Sequence, residues 1–206
     1  DVLDSKPLAE ITAAFSRIAK ELPPIAVDVL VDGKQRALGT IVGSDGLVLT
    51  KASVLAGAVS CRLVDGREIS ASVQKQSREH DLAILKIDAS GLPEARWSRD
   101  DDIVPGTLIA AVIPDQQIRA GVVSIAARPK PIVVGRVGVQ NSDRGPGGHD
   151  NAFGTDIQLK PESCGGPVID RNGCMVGIAI ACRAERGGFG ESHVIPASAA
   201  RRLVTD

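Results

Sequence analysis

A thiol sits inside Glu162-Ser163-Cys164-Gly165-Gly166-Pro167. Two glycines directly after a nucleophile-type residue let the backbone fold beneath the side chain, aim it outward and gather amide N–H groups toward a developing oxyanion. The chemistry this suits is nucleophilic attack on a carbonyl. The same residues also suit a plain turn holding a buried cysteine, because cysteine is among the most buried residue types and Gly-Gly-Pro is common turn material. The hexapeptide alone does not separate the two.

Other stretches add context. Gly39-Thr40-Ile41-Val42-Gly43-Ser44-Asp45-Gly46-Leu47-Val48-Leu49-Thr50-Lys51-Ala52-Ser53-Val54 precedes Val64-Asp65-Gly66-Arg67-Glu68 and His80-Asp81-Leu82-Ala83-Ile84-Leu85-Lys86-Ile87. Met175-Val176-Gly177-Ile178-Ala179 and His193-Val194-Ile195-Pro196 follow the thiol bend. In this order the segments resemble those of trypsin-like serine proteases, and most closely the HtrA (DegP/DegS/DegQ) group: Thr-Asn-x-His-Val, Ser-Asp-Gly-Arg-Glu, Asp-Leu-Ala-x-Leu-Lys-Ile, Gly-x-Ser-Gly-Gly-Pro, Val-x-Gly-Ile-Asn and Gly-Phe-Ala-Ile-Pro. The resemblance runs from about Ile25 to the C-terminus.

The departures bear on activity. Ser53 stands where the family has its general-base histidine, and Cys164 where it has the nucleophilic serine; Asp81 matches the orienting aspartate. In the oxyanion-hole region, Glu162 replaces the family glycine, Ser163 replaces an asparagine and Gly165 is kept. A serine hydroxyl has no protonation equilibrium near neutral pH and cannot take the place of imidazole as a base. Loss of the histidine from such a unit costs on the order of 10⁶ in turnover. Glu162 adds a carboxylate that repels an oxyanion, and a Cβ that resists the backbone the family glycine adopts.

The other histidines are poorly placed to supply the base. His80 is adjacent to Asp81, and neighbouring strand residues point to opposite faces; His149 lies in a glycine-rich stretch. The expectation is therefore an inactive serine-protease homologue that holds a peptide, unfolded chain or protein partner in a retained cleft. By resemblance that cleft is lined by Ile180, Ala181, Cys182 and His193, with ordinary packing the other reading of His193. Two further readings stand beside this one. One is an active endopeptidase using Cys164 as nucleophile with an unrecognised base; the other is a metal or redox site at Cys164, Cys182 and His193. No cofactor is expected, and the spacing of the cysteines forms no metal-ribbon pattern.

The elements that must position these residues can be read from periodicity. Leu8, Ile11, Phe15, Ile18 and Leu22 recur at helical spacing from Pro7 to Leu22, and Pro23-Pro24 ends the pattern. Short alternating or apolar runs follow at 26–31, 38–42, 47–50, 59–63, 70–74 and 82–87, separated by Asp32-Gly33, Ser44-Asp45-Gly46 and Asp65-Gly66. After the turn-rich segment 88–93 the style repeats at 107–113, 118–126, 132–139, 156–159, 167–170, 175–181 and 193–195, with a closing helix over 196–204. The two glycine-rich segments 142–154 and 184–190 read as loops.

This predicts an all-β chain of two six-stranded antiparallel barrels with an N-terminal helix and a short C-terminal helix. The division is a helical segment at 1–24, one barrel over 25–100 and a second over 101–206. A net charge of -1 in 206 residues, with no basic stretch carrying aromatics, argues against a nucleic-acid partner. The longest apolar runs are strand-sized, so no membrane span is expected. The family resemblance implies an extracytoplasmic setting in the periplasm or cell envelope, and a trimer.

Overall fold

The computed structural model describes residues 18, 22–99, 103, 106–113, 117–125, 152–155, 157, 159–181 and 192–205. Its first six strands are β1 (Ala26–Val31), β2 (Lys34–Gly43), β3 (Leu47–Lys51), β4 (Val59–Arg62), β5 (Glu68–Ser77) and β6 (Leu82–Ile87). They pair antiparallel in the order β1-β2-β3-β6-β5-β4, and β4 returns to β1 through Asp28↔Arg62 and Val29↔Cys61 to close a barrel. Asp32 and Gly33 both have positive φ, 51° and 73°, which is the backbone a two-residue hairpin needs to match strand twist. Val27, Val29, Ala37, Ile41, Val48, Cys61, Leu85 and Ile87 fill the interior.

The second barrel comprises β7 (Leu108–Ile113), β8 (Gln117–Ile125), β9 (Phe153–Thr155), β10 (Pro167–Asp170), β11 (Met175–Ala181) and β12 (Ser192–Pro196). Their order is β10-β11-β12-β9-β8-β7, closed by β10 against β7. A helix, α1 (Ala197–Thr205), follows β12 and packs Ala199 and Ala200 inward. Alternation along β11 serves two interiors. Val176 and Ala179 face the second barrel's own core, while Met175, Ile178 and Ile180 join Leu49, Leu82 and Ile84 of the first barrel in a shared cluster. Burying those apolar faces against each other holds the two barrels together.

The strand expected at 156–159 lies earlier, at Phe153–Thr155. There the backbone pairs Val194↔Phe153, His193↔Gly154 and Ser192↔Thr155, so the end of a segment read as a glycine-rich loop is strand. Beyond it, Ile157 N donates to Thr155 Oγ1 in a local turn, a competing bond that takes the chain off the ladder. The expected strand at 132–139, the loop at 184–190 and most of the N-terminal helix lie outside the described residues. Of that helix, Leu22 N donates to Ile18 O at 2.7 Å, and both side chains pack toward Ala110 and Ile169.

Candidate functional site

Asp81 opens β6 in a left-handed backbone conformation, φ 51°, which aspartate tolerates better than most residues. In that pose it collects donors from one short segment. Its carbonyl accepts from Ala52 N (2.9 Å), its Oδ1 from Ser53 N (2.7 Å) and its Oδ2 from Ser53 Oγ (2.8 Å). Lys51 Nζ lies 3.0 Å from the same Oδ2. Ala52–Val54 is a single 3-10 turn with no side-chain cap from its preceding residue, so Asp81 satisfies its leading N–H groups from across the sheet.

Lys51 is the residue that sequence reading passed over. The resemblance sets it against an asparagine, and the signal available was a cation two residues before Ser53. Side-chain exposures of 19% and 18% for Lys51 and Asp81 place the pair where solvent screens it only in part. A base relay needs an imidazole that hydrogen-bonds the carboxylate through one nitrogen and the nucleophile through the other. Here both carboxylate oxygens are bound to Lys51 and Ser53, neither of which provides that relay.

The thiol bend docks on the first barrel. Leu38 N donates to Cys164 O at 2.8 Å, and Thr40 Oγ1 donates to Gly165 O at 3.0 Å. Gly165 has φ +84°, and a Cβ placed there would lie 2.1 Å from Leu38 O and 3.0 Å from Lys51 N. The bend therefore sits against the segment that carries Lys51 and Ser53.

The backbone of the bend differs from the sequence expectation of free amides. Pro161–Ser163 forms a 3-10 turn, in which Ser163 N donates to Lys160 O (2.9 Å) and Cys164 N to Pro161 O (3.1 Å). Gly165 N donates to Ala179 O (2.9 Å) and Gly166 N to Ser163 O (3.3 Å). All four amides from 163 to 166 are thus engaged, whereas oxyanion stabilisation requires donors aimed at the developing charge. Glu162 explains the geometry: a residue with a Cβ favours the negative-φ backbone of this turn, whose i→i+3 bonds use up the donors. Glu162 itself is exposed, and Ser163 is buried.

Cys164 is 2% exposed, and its Sγ donates to Lys160 O at 3.7 Å. Two other thiols are pushed up by desolvation: Cys61, buried in the first barrel, to about 12, and Cys174, where Asp170 adds to the rise. Ile180 is buried in the cluster between the barrels, and His193 is buried on β12 opposite it. Ala181 ends β11; Cys182 lies outside the described residues. Among the described residues no group of three His, Cys, Asp or Glu side chains is placed to hold a metal ion. No helix among them is long and apolar enough to cross a membrane.

Residues 37–178 match the family described as the trypsin-like peptidase domain. Among curated proteins, the chain is 33% identical over 181 residues to the "Probable periplasmic serine endoprotease DegP-like" of Marinomonas sp. (strain MWYL1), covering 84% of this chain and 36% of that protein. Its counterpart in Hahella chejuensis is 32% identical over 165 residues, 77% of this chain and 32% of that protein. The chain thus spans about a third of the length of these relatives. Among solved structures, the HtrA-type protease AlgW with tripeptide superimposes with a TM-score of 0.72 at 26% identity, over 94% of this chain and 62% of that one. The MamO protease domain from Magnetospirillum magneticum does so with a TM-score of 0.68 at 25% identity, over 90% and 98%. The chain belongs to the trypsin-like peptidase domain family and is an HtrA-like, trypsin-fold member of it.

Proposed function

We propose that this chain is a protease homologue without peptidase activity that holds an extended peptide or a protein partner, with Ser53, Asp81 and Cys164 as a degenerate triad. The observation that carries the reading is the closed bend, in which Ser163 N and Cys164 N donate to backbone carbonyls of their own turn. The absence of an imidazole at Ser53 and the capture of Asp81 by Lys51 and Ser53 point the same way. Recognition would use backbone hydrogen bonds to an added strand in the cleft that the family resemblance places beside Ala181, Cys182 and His193. Placement outside the cytoplasm is supported by the periplasmic names of the curated relatives. The barrels at 25–100 and 101–206, with the segment 1–24 before them, are the units this reading assigns.

A cleavage assay on unfolded casein and fluorogenic peptides, run beside fluorescence anisotropy of labelled casein, tests it. The expected result is saturable binding with no product above buffer. Cleavage that disappears when Cys164 is alkylated would replace this reading with a cysteine endopeptidase.

A further inference from the structure

Strand β5, Glu68–Ser77, outruns its neighbour on one side. β4 pairs with it only through Ser60↔Ser70, Cys61↔Ile69 and Arg62↔Glu68, whereas β6 accompanies it from Ala71↔Ile87 to Ser77↔Leu82. Residues 71–77 therefore have one bonded edge and, among the described residues, one open edge. Every residue from 22 to 99 is described, so the whole first barrel enters that statement. No backbone hydrogen bond from a turn or loop of the described chain reaches 71–77. Ser72, Val73, Gln74, Lys75 and Gln76 are all exposed.

An open edge offers alternate N–H and C=O groups to a strand laid beside it. The side chains decide which strand that is. Val73 pairs with Leu85 and Lys75 with Ile84, and Leu85 and Ile84 are successive residues of β6. Paired residues share a face and successive ones do not, so the bulge between Val73 and Lys75 sends them to opposite faces. Val73 is 41% exposed, one of two large apolar side chains so open among the described residues. Residues 69–78 contain no Asp or Glu, and among the described residues no ion pair involves Lys75. A strand added here sets one set of alternate residues beside Val73 and the other set beside an unpaired cation.

We infer that the open edge of β5 is a docking site for an extended segment of alternating apolar and acidic residues. Backbone pairing supplies the affinity, and Val73 and Lys75 supply the selection. A second copy of the chain is the occupant that the charge opposes. It would bring a second Lys75 to the same short stretch, and an edge lysine beside a bulge is a device that keeps like edges apart. The inference does not rest on the peptidase reading, because residues 71–77 include none of the thiol bend or the Asp81 cluster.

The test is fluorescence anisotropy of the whole chain with a labelled octapeptide of alternating valine and glutamate. Its comparisons are the peptide with lysine in place of glutamate, and the valine-glutamate peptide N-methylated at every residue, which keeps the charge and loses the backbone donors. Saturable binding is expected for the first peptide alone. Lys75→Glu should weaken it about tenfold and admit the lysine peptide, while Arg171→Glu, the same charge change on the second barrel, should leave it unchanged. Both side chains are exposed, so thermal melting at the wild-type value separates lost binding from lost fold. No saturable binding, equal binding of the N-methylated peptide, or a Lys75→Glu variant that binds like the wild type would each overturn the assignment. So would a wild-type dimer in sedimentation velocity that Val73→Asp dissolves, which would give the edge to a second copy.

Discussion

Three donors from Lys51 and Ser53 reach the Asp81 carboxylate, so it has structural work that does not depend on catalysis. It caps the start of a 3-10 turn and neutralises a cation. The pairing of Asp81 with Ser53 is stabilising in its own right, since a charge-assisted hydrogen bond to a partly buried group contributes about 1.5–3 kcal/mol. The same arrangement limits what restoring the triad letters can achieve. In the double variant Ser53→His with Cys164→Ser, the imidazole must compete with Lys51 for Oδ2, and the amides of 163 and 164 remain bound within their turn. Removing a single oxyanion donor already costs about 10²–10³ in turnover. The double variant is expected to show no casein or peptide cleavage above the wild type. Measurable turnover from it would mean that the bend opens on substrate and that the amide bonds do not decide activity.

At the scale of elements, the bend is held by backbone geometry more than by side chains. A Cβ on Gly165 would meet Leu38 O at 2.1 Å, and the residue has φ +84°. Gly33 also has positive φ, yet nothing lies within 4 Å of its Cβ position. Gly165→Ala should therefore destabilise by more than about 3 kcal/mol, through clash and strain together, while Gly33→Ala should cost about 1–2 kcal/mol from the left-handed backbone alone. Urea unfolding of the two variants checks this; equal losses would show that the bend relaxes away from β2. These elements were unequally legible. Strands 26–31, 82–87, 167–170 and 175–181 follow from apolar runs bounded by turn residues, and their observed limits coincide with those runs. Phe153–Thr155 was not legible, because its pairing with β12 overrides a local composition that signals loop. The contact of Ser53 with Asp81 joins two segments that motif order had singled out, but the Lys51 ion pair was not legible, since a lysine's reach is set by neighbours distant in sequence. The engaged amides were hidden for a related reason: a Gly-Gly pair permits several backbones, and the one adopted depends on Glu162 and on contacts with β2.

At the scale of the whole molecule, the barrels share a core cluster and are tied by bonds from Leu38 and Thr40 to the thiol bend, so their unfolding should be coupled. Cys61 offers a titration that reports on that core. It pairs with Val29 across β1 and β4 and is fully buried, and desolvation raises its pKa from 9.0 to about 12. The folded state therefore keeps the thiol proton at pH values where the unfolded chain releases it. Stability associated with this group is fully present below about pH 9 and declines as pH rises toward about 12, by up to about 1.4 kcal/mol per pH unit. Other groups titrate in the same range, including Cys174, so the measurement must be a difference. In urea unfolding from pH 8 to 11, wild type minus Cys61→Ala isolates the thiol. The alanine variant loses some packing at every pH, which sets the offset at pH 8. Above pH 9 the wild-type advantage should shrink with the stated slope, because only the wild type carries the buried proton. A difference that stays constant across the range would show that the Cys61 thiolate is accommodated in the folded barrel, and that solvent reaches this part of the core.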